Sequence, residues 1–406
     1  MVGRILPRNA EGEIGINNRS ASVMAGIALI FTDFFCIYLM RYINAYQLLA
    51  VSAILVTLTV VVTHGLIYIN RSKVNKTILS FIGAIGVTTV TSSNRGESIK
   101  YLLLWCVIYY LARVLKGNIR YKEFCYKWFF RLSLVECIFI IAQYLYPQQI
   151  NRIMEIALTR SSFDAAIQAY NLHRACTGIA GSQPFAMMFA YFVMSIGIVQ
   201  AIAKVNLKSV LTIIVGLISI VLSGKRSALV IVVMVILYTS LFVFSKDNRQ
   251  KGKWRLAAFG VIFIAGLAVN YSETGLSMLA KNELLMETGD ITNGRILLIS
   301  AMLDIFKQHP IFGIGPLSTS SYYGDYLGHN IYLQTLAEMG IVGFVALISM
   351  LVVCLRNQIR VVKSDRSDEY EYLALFVQLF VIFYGLFGNP LFSYVFIIPY
   401  ALFAVE

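Results

Sequence analysis

Apolar residues recur along this chain in runs of about twenty, separated by polar and mostly basic connections, which is the length that a helix needs to cross a lipid core. Read in windows of about 19 residues, the runs predict helices over 23–40, 48–69, 77–90, 99–115, 132–146, 184–202, 209–222, 228–244, 256–271, 331–355, 372–387 and 390–405. The expected fold is an all-α polytopic membrane protein of about 12 transmembrane helices, forming one integral domain over 1–406. No small-residue cleavage pattern follows the first apolar run, so 23–40 reads as an anchor.

The polar connections then orient the chain. Roughly two thirds of the 34 Lys and Arg fall in loops on the N-terminal side of the membrane, the excess that marks cytoplasmic loops, so both termini are expected in the cytoplasm. The opposite side carries two long connections, about 147–183 and about 272–330, and long loops are where function concentrates. With 58% hydrophobic and 14% charged residues, the formal charge of +13 reflects membrane orientation and implies no nucleic acid partner.

An outward-facing site restricts the chemistry, because nucleotide donors are not expected there. The sequence has no phosphate-binding Gly loop, no Asp-x-Asp pair and no Cys or His cluster at metal spacing, so no metal or cofactor is expected. An activated donor on that face must already be bound to lipid. Of the cysteines, Cys36, Cys106, Cys137 and Cys354 lie in predicted spans and Cys125 in a basic loop, leaving Cys176 as a lone outer cysteine with no disulfide partner.

The most informative polar junction is HNIYLQTLAEMGIVGF, where His329 opens an apolar helix and Asn330 suits its N-cap. A neutral imidazole can take a proton from an attacking hydroxyl; the bland alternative is a capping or interface histidine. Arginines outside run against the orientation rule. Arg226, beside Lys225 in the turn LSGKRSA, would stand at the membrane mouth, or else snorkel there. Arg295 opens NGRILLISAMLDIFKQ, a helix expected to be amphipathic, with Arg295 on the stripe of Ile299, Met302 and Phe306 and Asp304 opposite. A guanidinium there suits bidentate capture of phosphate. Arg174 lies in NLHRACTGIAGSQPF, which Gly178, Gly181 and Pro184 keep irregular; Arg152, Arg160 and His173 of the same loop rank lower.

Other polar residues read as structural. Glu338 falls about 180° from His329 and about 13 Å deeper on a regular helix, so it should pair with another helix. Gly340 and Gly343 suit close helix packing. His309 and Pro310 should end the Arg295 helix, with Gly313 and Gly315 turning the chain back. Asp33, Glu136 and His64 are ionisable residues within spans, which keeps a proton-coupled carrier as an alternative.

The string HNIYLQTLAEMGIVGF, preceded by NGRILLISAMLDIFKQHPIFGIGP and LSGKRSALV, resembles the signature of the O-antigen ligase and O-antigen polymerase superfamily over about 223–343. The resemblance implies a glycosyltransferase-C-like helical enzyme, metal-independent, in the bacterial inner membrane, with its centre under the large outer loop. It assigns His329 as the essential histidine, Arg295 as the loop arginine and Arg226 as the arginine at the membrane mouth, with Arg174 a looser match. The substrates implied are an undecaprenyl-pyrophosphate-linked glycan donor and a glycan acceptor, with a chain-length regulator as a further partner. Polymerisation of repeat units into O-antigen or capsule is the leading expectation, ligation to lipid A-core or another acceptor the alternative, and a flippase or other transporter the second alternative.

Overall fold

A computed structural model describes residues 19–38, 41–62, 72–116, 120–239, 266, 269, 274, 295–319, 321, 329–364 and 368–404. Among these the chain is all-helical, with no strand. The helices are α1 (Arg19–Tyr38), α2 (Ala45–Val62), α3 (Lys73–Val90), α4 (Arg95–Lys116), α5 (Tyr121–Leu145), α6 (Pro147–Ala157), α7 (Arg160–His173), α8 (Gln183–Ala203), α9 (Leu207–Leu222), α10 (Arg226–Tyr238), α11 (Arg295–Gln308), α12 (Ile331–Val362), α13 (Glu369–Tyr384) and α14 (Tyr394–Ala404). The expected span at 256–271 and the titratable His64 lie outside the described residues.

Five of these helices, α2, α4, α5, α8 and α12, are long and apolar enough to cross a membrane, and shorter apolar helices lie over Ser20–Phe34 and in α9, α10 and α14. These apolar helices mark a multi-pass membrane protein. The pattern of exposure agrees: α2 leaves Ile54, Leu55, Leu58 and Val61 uncovered along its length, a surface suited to lipid and costly in water. Helix α8 is apolar all round and accordingly central, with Met187 to Val193 all buried. It packs on α9, α5 and α13, and aromatic rings fill the seams: Phe189 stacks on Phe34 at 4.7 Å and Tyr191 lies 4.7 Å from Phe380.

Three expectations change. The connection 147–183 contains two helices, α6 and α7, and only 174–182 is irregular. Helix α6 starts at Pro147, which supplies the fixed φ that suits a first turn, and Thr159 caps α7 by accepting from Ser162 N at 3.3 Å. Helix α11 is less amphipathic than its sequence implies. Met302 and Ile305 are buried, but Ile296, Leu297, Ile299 and Leu303 are exposed, so apolar residues cover both of its faces. Cys176, expected outside and alone, is fully buried.

Helix α12 is the most consequential departure. It breaks at Gly340, whose backbone (φ 60, ψ −162) no helix accommodates. The break opens the hydrogen-bond ladder, and the segment 310–315 fills it: Ile314 N and Gly315 N donate to the carbonyls of Ala337 and Glu338 at 3.4 and 2.7 Å, while Ile341 N and Val342 N donate to Pro310 O and Ile311 O at 2.9 and 3.3 Å. Irregular backbone survives beside an apolar environment only when its polar groups are satisfied in this way. A Cβ on Gly340 would stand 2.3 Å from Ile311 O, and one on Gly313 2.3 Å from the Glu338 carbonyl. Gly340 therefore serves the approach of a loop, whereas the atoms nearest a Cβ on Gly343 are those of Met339 in its own helix.

The break also changes what α12 does in the bilayer. At 1.5 Å per residue the part beyond it, 341–362, rises about 33 Å and can cross by itself. Ile331 to Met339 is thus a separate short helical piece at one end of the span, set at an angle fixed by the loop. Gly340→Ala should lower stability by about 1–3 kcal/mol from the backbone alone, with more from the clash. Reversible unfolding in mixed detergent micelles measures it, and an unchanged midpoint would remove the break as a requirement.

Candidate active site

Each candidate residue is placed by a turn at the end of a helix. His329 precedes α12 in a left-handed conformation (φ 48) that is rare outside glycine. Asn330 caps the helix as its type predicts, its Oδ1 accepting from Tyr332 N at 3.0 Å and Leu333 N at 3.1 Å while its Nδ2 donates to Leu386 O at 3.4 Å. Ile331 N donates to the carbonyls of Gly385 and Gly388. The mouth of α12 is thereby stitched to the turn after α13, and Asn330 holds the backbone that presents His329.

Lys225 and Arg226 occupy the tight turn between α9 and α10, with Lys225 at the N-cap position, and both are half-buried. Arg295 opens α11 and is also half-buried, in line with Leu298, Met302 and Ile305. Helix α11 seats that face on α12, where Met302, Ile305 and Ile314 form an apolar cluster with Ala337.

The charges of these residues act on one another. Although part of its ring is accessible, burial lowers the His329 pKa below its ordinary 6.5, and the cations Lys225 and Arg295 lower it further. Arg226 lies within the field of Arg295, as does Tyr384 at the end of α13. Three segments far apart in sequence thus deliver Lys225, Arg226, Arg295 and His329 to one mouth. Tyr384 was missed by the sequence reading because a tyrosine in an apolar run carries no signal of its own.

Arg174 arrives by a different route. It ends α7 in a left-handed conformation (φ 50), and Cys176 N then donates to Leu222 O at 2.7 Å, docking the irregular loop against the turn that carries Lys225. Buried polar side chains of α5 hold the rest: Gln143 Oε1 accepts from Gly178 N at 2.9 Å, and Glu136 Oε1 from Ala180 N at 3.2 Å. The Arg174 guanidinium lies 5.5 Å from the centroid of the Tyr170 ring, a cation–π contact. Its loop joins the Lys225 turn, while its charge rests over Tyr170. Arg160, ranked lower, pairs with Asp164 at 3.2 Å on an exposed helix face, as Lys307 does with Asp304 at 2.9 Å.

The hydrogen-bond partners of Glu338 lie in the loop at 317–319 and on its own helix, where the sequence had pointed to another helix. Glu338 is fully buried and accepts from Leu317 N at 2.9 Å, Thr319 N at 3.2 Å, Thr319 Oγ1 at 2.7 Å and Gln334 Nε2 at 3.1 Å. Asp33 is buried as well, and neither of its carboxylate oxygens has a hydrogen-bond partner. Among the described residues no three His, Cys, Asp or Glu side chains come together as a metal site would require.

Lys225 and Arg295 acting on His329, with Arg226 in the field of Arg295, suit a substrate that carries strong negative charge next to a reacting hydroxyl. Residues 211–348 match the O-antigen ligase family. That segment is about a third of the chain and contains Lys225, Arg226, Arg295, His329 and the whole broken region of α12. It supports the resemblance to the O-antigen ligase and O-antigen polymerase superfamily. No curated protein matches the chain in sequence.

Because two cations lower the His329 pKa, removing one should raise it. With only four histidines in the chain, carbon-labelled imidazoles in nanodiscs can be titrated by NMR. His329 should titrate below pH 6.5, and Lys225→Ala should move its midpoint upward; a midpoint unmoved by that substitution would place Lys225 away from the ring.

Proposed function

We propose that this protein transfers a glycan from a polyprenyl-pyrophosphate donor to a sugar hydroxyl, at the His329 mouth, on the outer face of a bacterial cytoplasmic membrane. The observation that carries the reading is the convergence of Lys225 and Arg295 on a histidine whose neutral form they favour, with Arg226 in the field of Arg295. The family match supports a ligase or polymerase role for lipid-linked glycan.

The chemistry follows from the charges. The bond between the anomeric carbon and the pyrophosphate oxygen breaks as the acceptor hydroxyl oxygen attacks that carbon, and the products are a glycoside and polyprenyl pyrophosphate. Negative charge grows on the leaving pyrophosphate, where pre-placed guanidinium and ammonium groups stabilise it more than they do the ground state. His329 takes the proton of the acceptor hydroxyl, and a neutral imidazole at pH 7 is ready to do so. Arg174, carried on the loop docked against the Lys225 turn, contributes a second cationic surface for glycan or phosphate.

Joining of repeat units is the favoured form of the reaction, because two arginine-bearing loops meeting at one turn offer places for two lipid-linked glycans. Ligation to a separate acceptor is the second reading, favoured by the description of the matched family.

His329→Ala and Arg295→Ala should each leave a folded, membrane-inserted protein whose transfer rate falls at least about 100-fold, measured as polyprenyl pyrophosphate released from lipid-linked glycan in nanodiscs. Wild-type rates from either variant would remove that residue from the site. For the wild type, kcat/KM should decline on the acid side as pH falls through the lowered His329 pKa, below 6.5, since protonation abolishes the base. Gene deletion separates the readings: a lost polymerase leaves single repeats attached at the surface, a lost ligase leaves long chains on the carrier lipid, and a transporter shows no transfer by purified protein.

A further inference from the structure

Glu338 has no part in the chemistry described above, yet it accepts four hydrogen bonds. Its two oxygens divide the work. Oε2 accepts from Leu317 N, and Oε1 from Thr319 N, Thr319 Oγ1 and Gln334 Nε2. Leu317 N, Thr319 N and Gln334 Nε2 can only donate and Thr319 Oγ1 donates as well, so both carboxyl oxygens act as acceptors, a pattern that an ionised carboxylate meets in full. Leu317 itself has φ 57, a strained backbone that persists where the surroundings over-determine it.

The segment so held reaches both halves of the mouth. Its Ile314 lies in the apolar cluster with Met302 and Ile305 of α11 and Ala337 of α12, and its amides fill the break of α12. Its other side is locked to the α3–α4 turn. Ser93 N donates to Ile314 O at 2.9 Å, Ser98 Oγ to Pro316 O at 2.6 Å, and the hydroxyls of Ser92 and Ser318 lie 3.0 Å apart. Helix α11, with Arg295 at its start, follows wherever this segment goes, and so does the short helical piece that His329 precedes.

We infer that Glu338 is a positioning residue for the transfer reaction: its carboxylate clamps the 313–319 segment and thereby sets Arg295 relative to His329. This rests on the proposed function for its consequence in rate, but the clamp itself has an independent readout. The arginine's contribution is greatest when charge develops on the leaving group, so a slackened clamp costs kcat more than donor KM.

The test uses the full chain in nanodiscs, with Glu338→Gln, Thr319→Val and the pair combined. A glutamine keeps the volume but turns an amide donor toward one set of donors. Thr319→Val removes one donated hydrogen bond and leaves Glu338 intact. In folded, monodisperse protein, Glu338→Gln should speed amide hydrogen exchange across 313–319 by about tenfold or more and lower kcat about tenfold, with donor KM changed less than about threefold. Thr319→Val should do the same to a smaller degree, and the double variant should be no worse than Glu338→Gln alone.

Faster exchange with unchanged kcat would overturn the positioning role. Unchanged exchange would overturn the clamp. If Glu338→Gln does not fold, Thr319→Val decides on the same two readouts. Wild-type protein that exchanges slowly at 313–319 but transfers no lipid-linked glycan would defeat the proposed function and leave the clamp standing as architecture.

Discussion

The opened hydrogen-bond ladder of α12 is the constraint on which the rest of the structure depends. A helix broken at Gly340 exposes carbonyls at Ala337 and Glu338 and amides at Ile341 and Val342, and beside lipid such groups cost several kcal/mol each if left bare. The 310–315 backbone answers all four. What satisfies the break is therefore also what places α11, because the same segment leads directly out of that helix. Gly313 and Gly340 make the approach feasible, since a Cβ at either would sit 2.3 Å from backbone of the other segment.

Around this joint the protein gathers like charges. Arg226 and Arg295 act on one another, and Lys225 and Arg295 act against protonation of His329. These groups stand on stiff supports: Lys225 and Arg226 in a tight turn between two helices, Arg295 in the first turn of a seated helix, and His329 at a capped helix mouth. Two left-handed residues, Arg174 and His329, mark the ends where the backbone is bent to present a side chain. Strain of this kind persists where neighbouring contacts hold it, and at His329 the Asn330 cap and the bonds to Gly385 and Gly388 do so.

Much of the candidate site was legible from residue types. An arginine at the start of an apolar stripe, a Lys-Arg pair in a turn and a His-Asn pair ahead of a long helix each break the local pattern for which hydrophobicity accounts. The end of α11 was legible through the His309-Pro310 stop, whereas the starts of α6 at Pro147 and α7 at Thr159 lay in a stretch read as a loop. Less was visible where a helix is interrupted without losing its apolar run: Gly340 reads as a packing glycine until its partner is seen. Cys176 looked exposed because it lies among polar neighbours, and it is buried because its amide docks onto Leu222. Glu338 could be recognised as needing partners, but those partners lie in a loop that helical phase does not reach.

The sequence by itself determined the class of the molecule, its long apolar helices and the kinds of residue available for chemistry, since lipid burial demands long apolar runs and charge within them is costly. It also carried the family resemblance, whose motifs are short and contiguous. Only the tertiary structure decided which loop fills the break in α12, which side chains share a field, and which turn the mouth of α12 is tied to. These depend on backbone hydrogen bonds between segments separated by tens to hundreds of residues, and backbone groups are the same in every residue, so no pattern of side chains announces their partners.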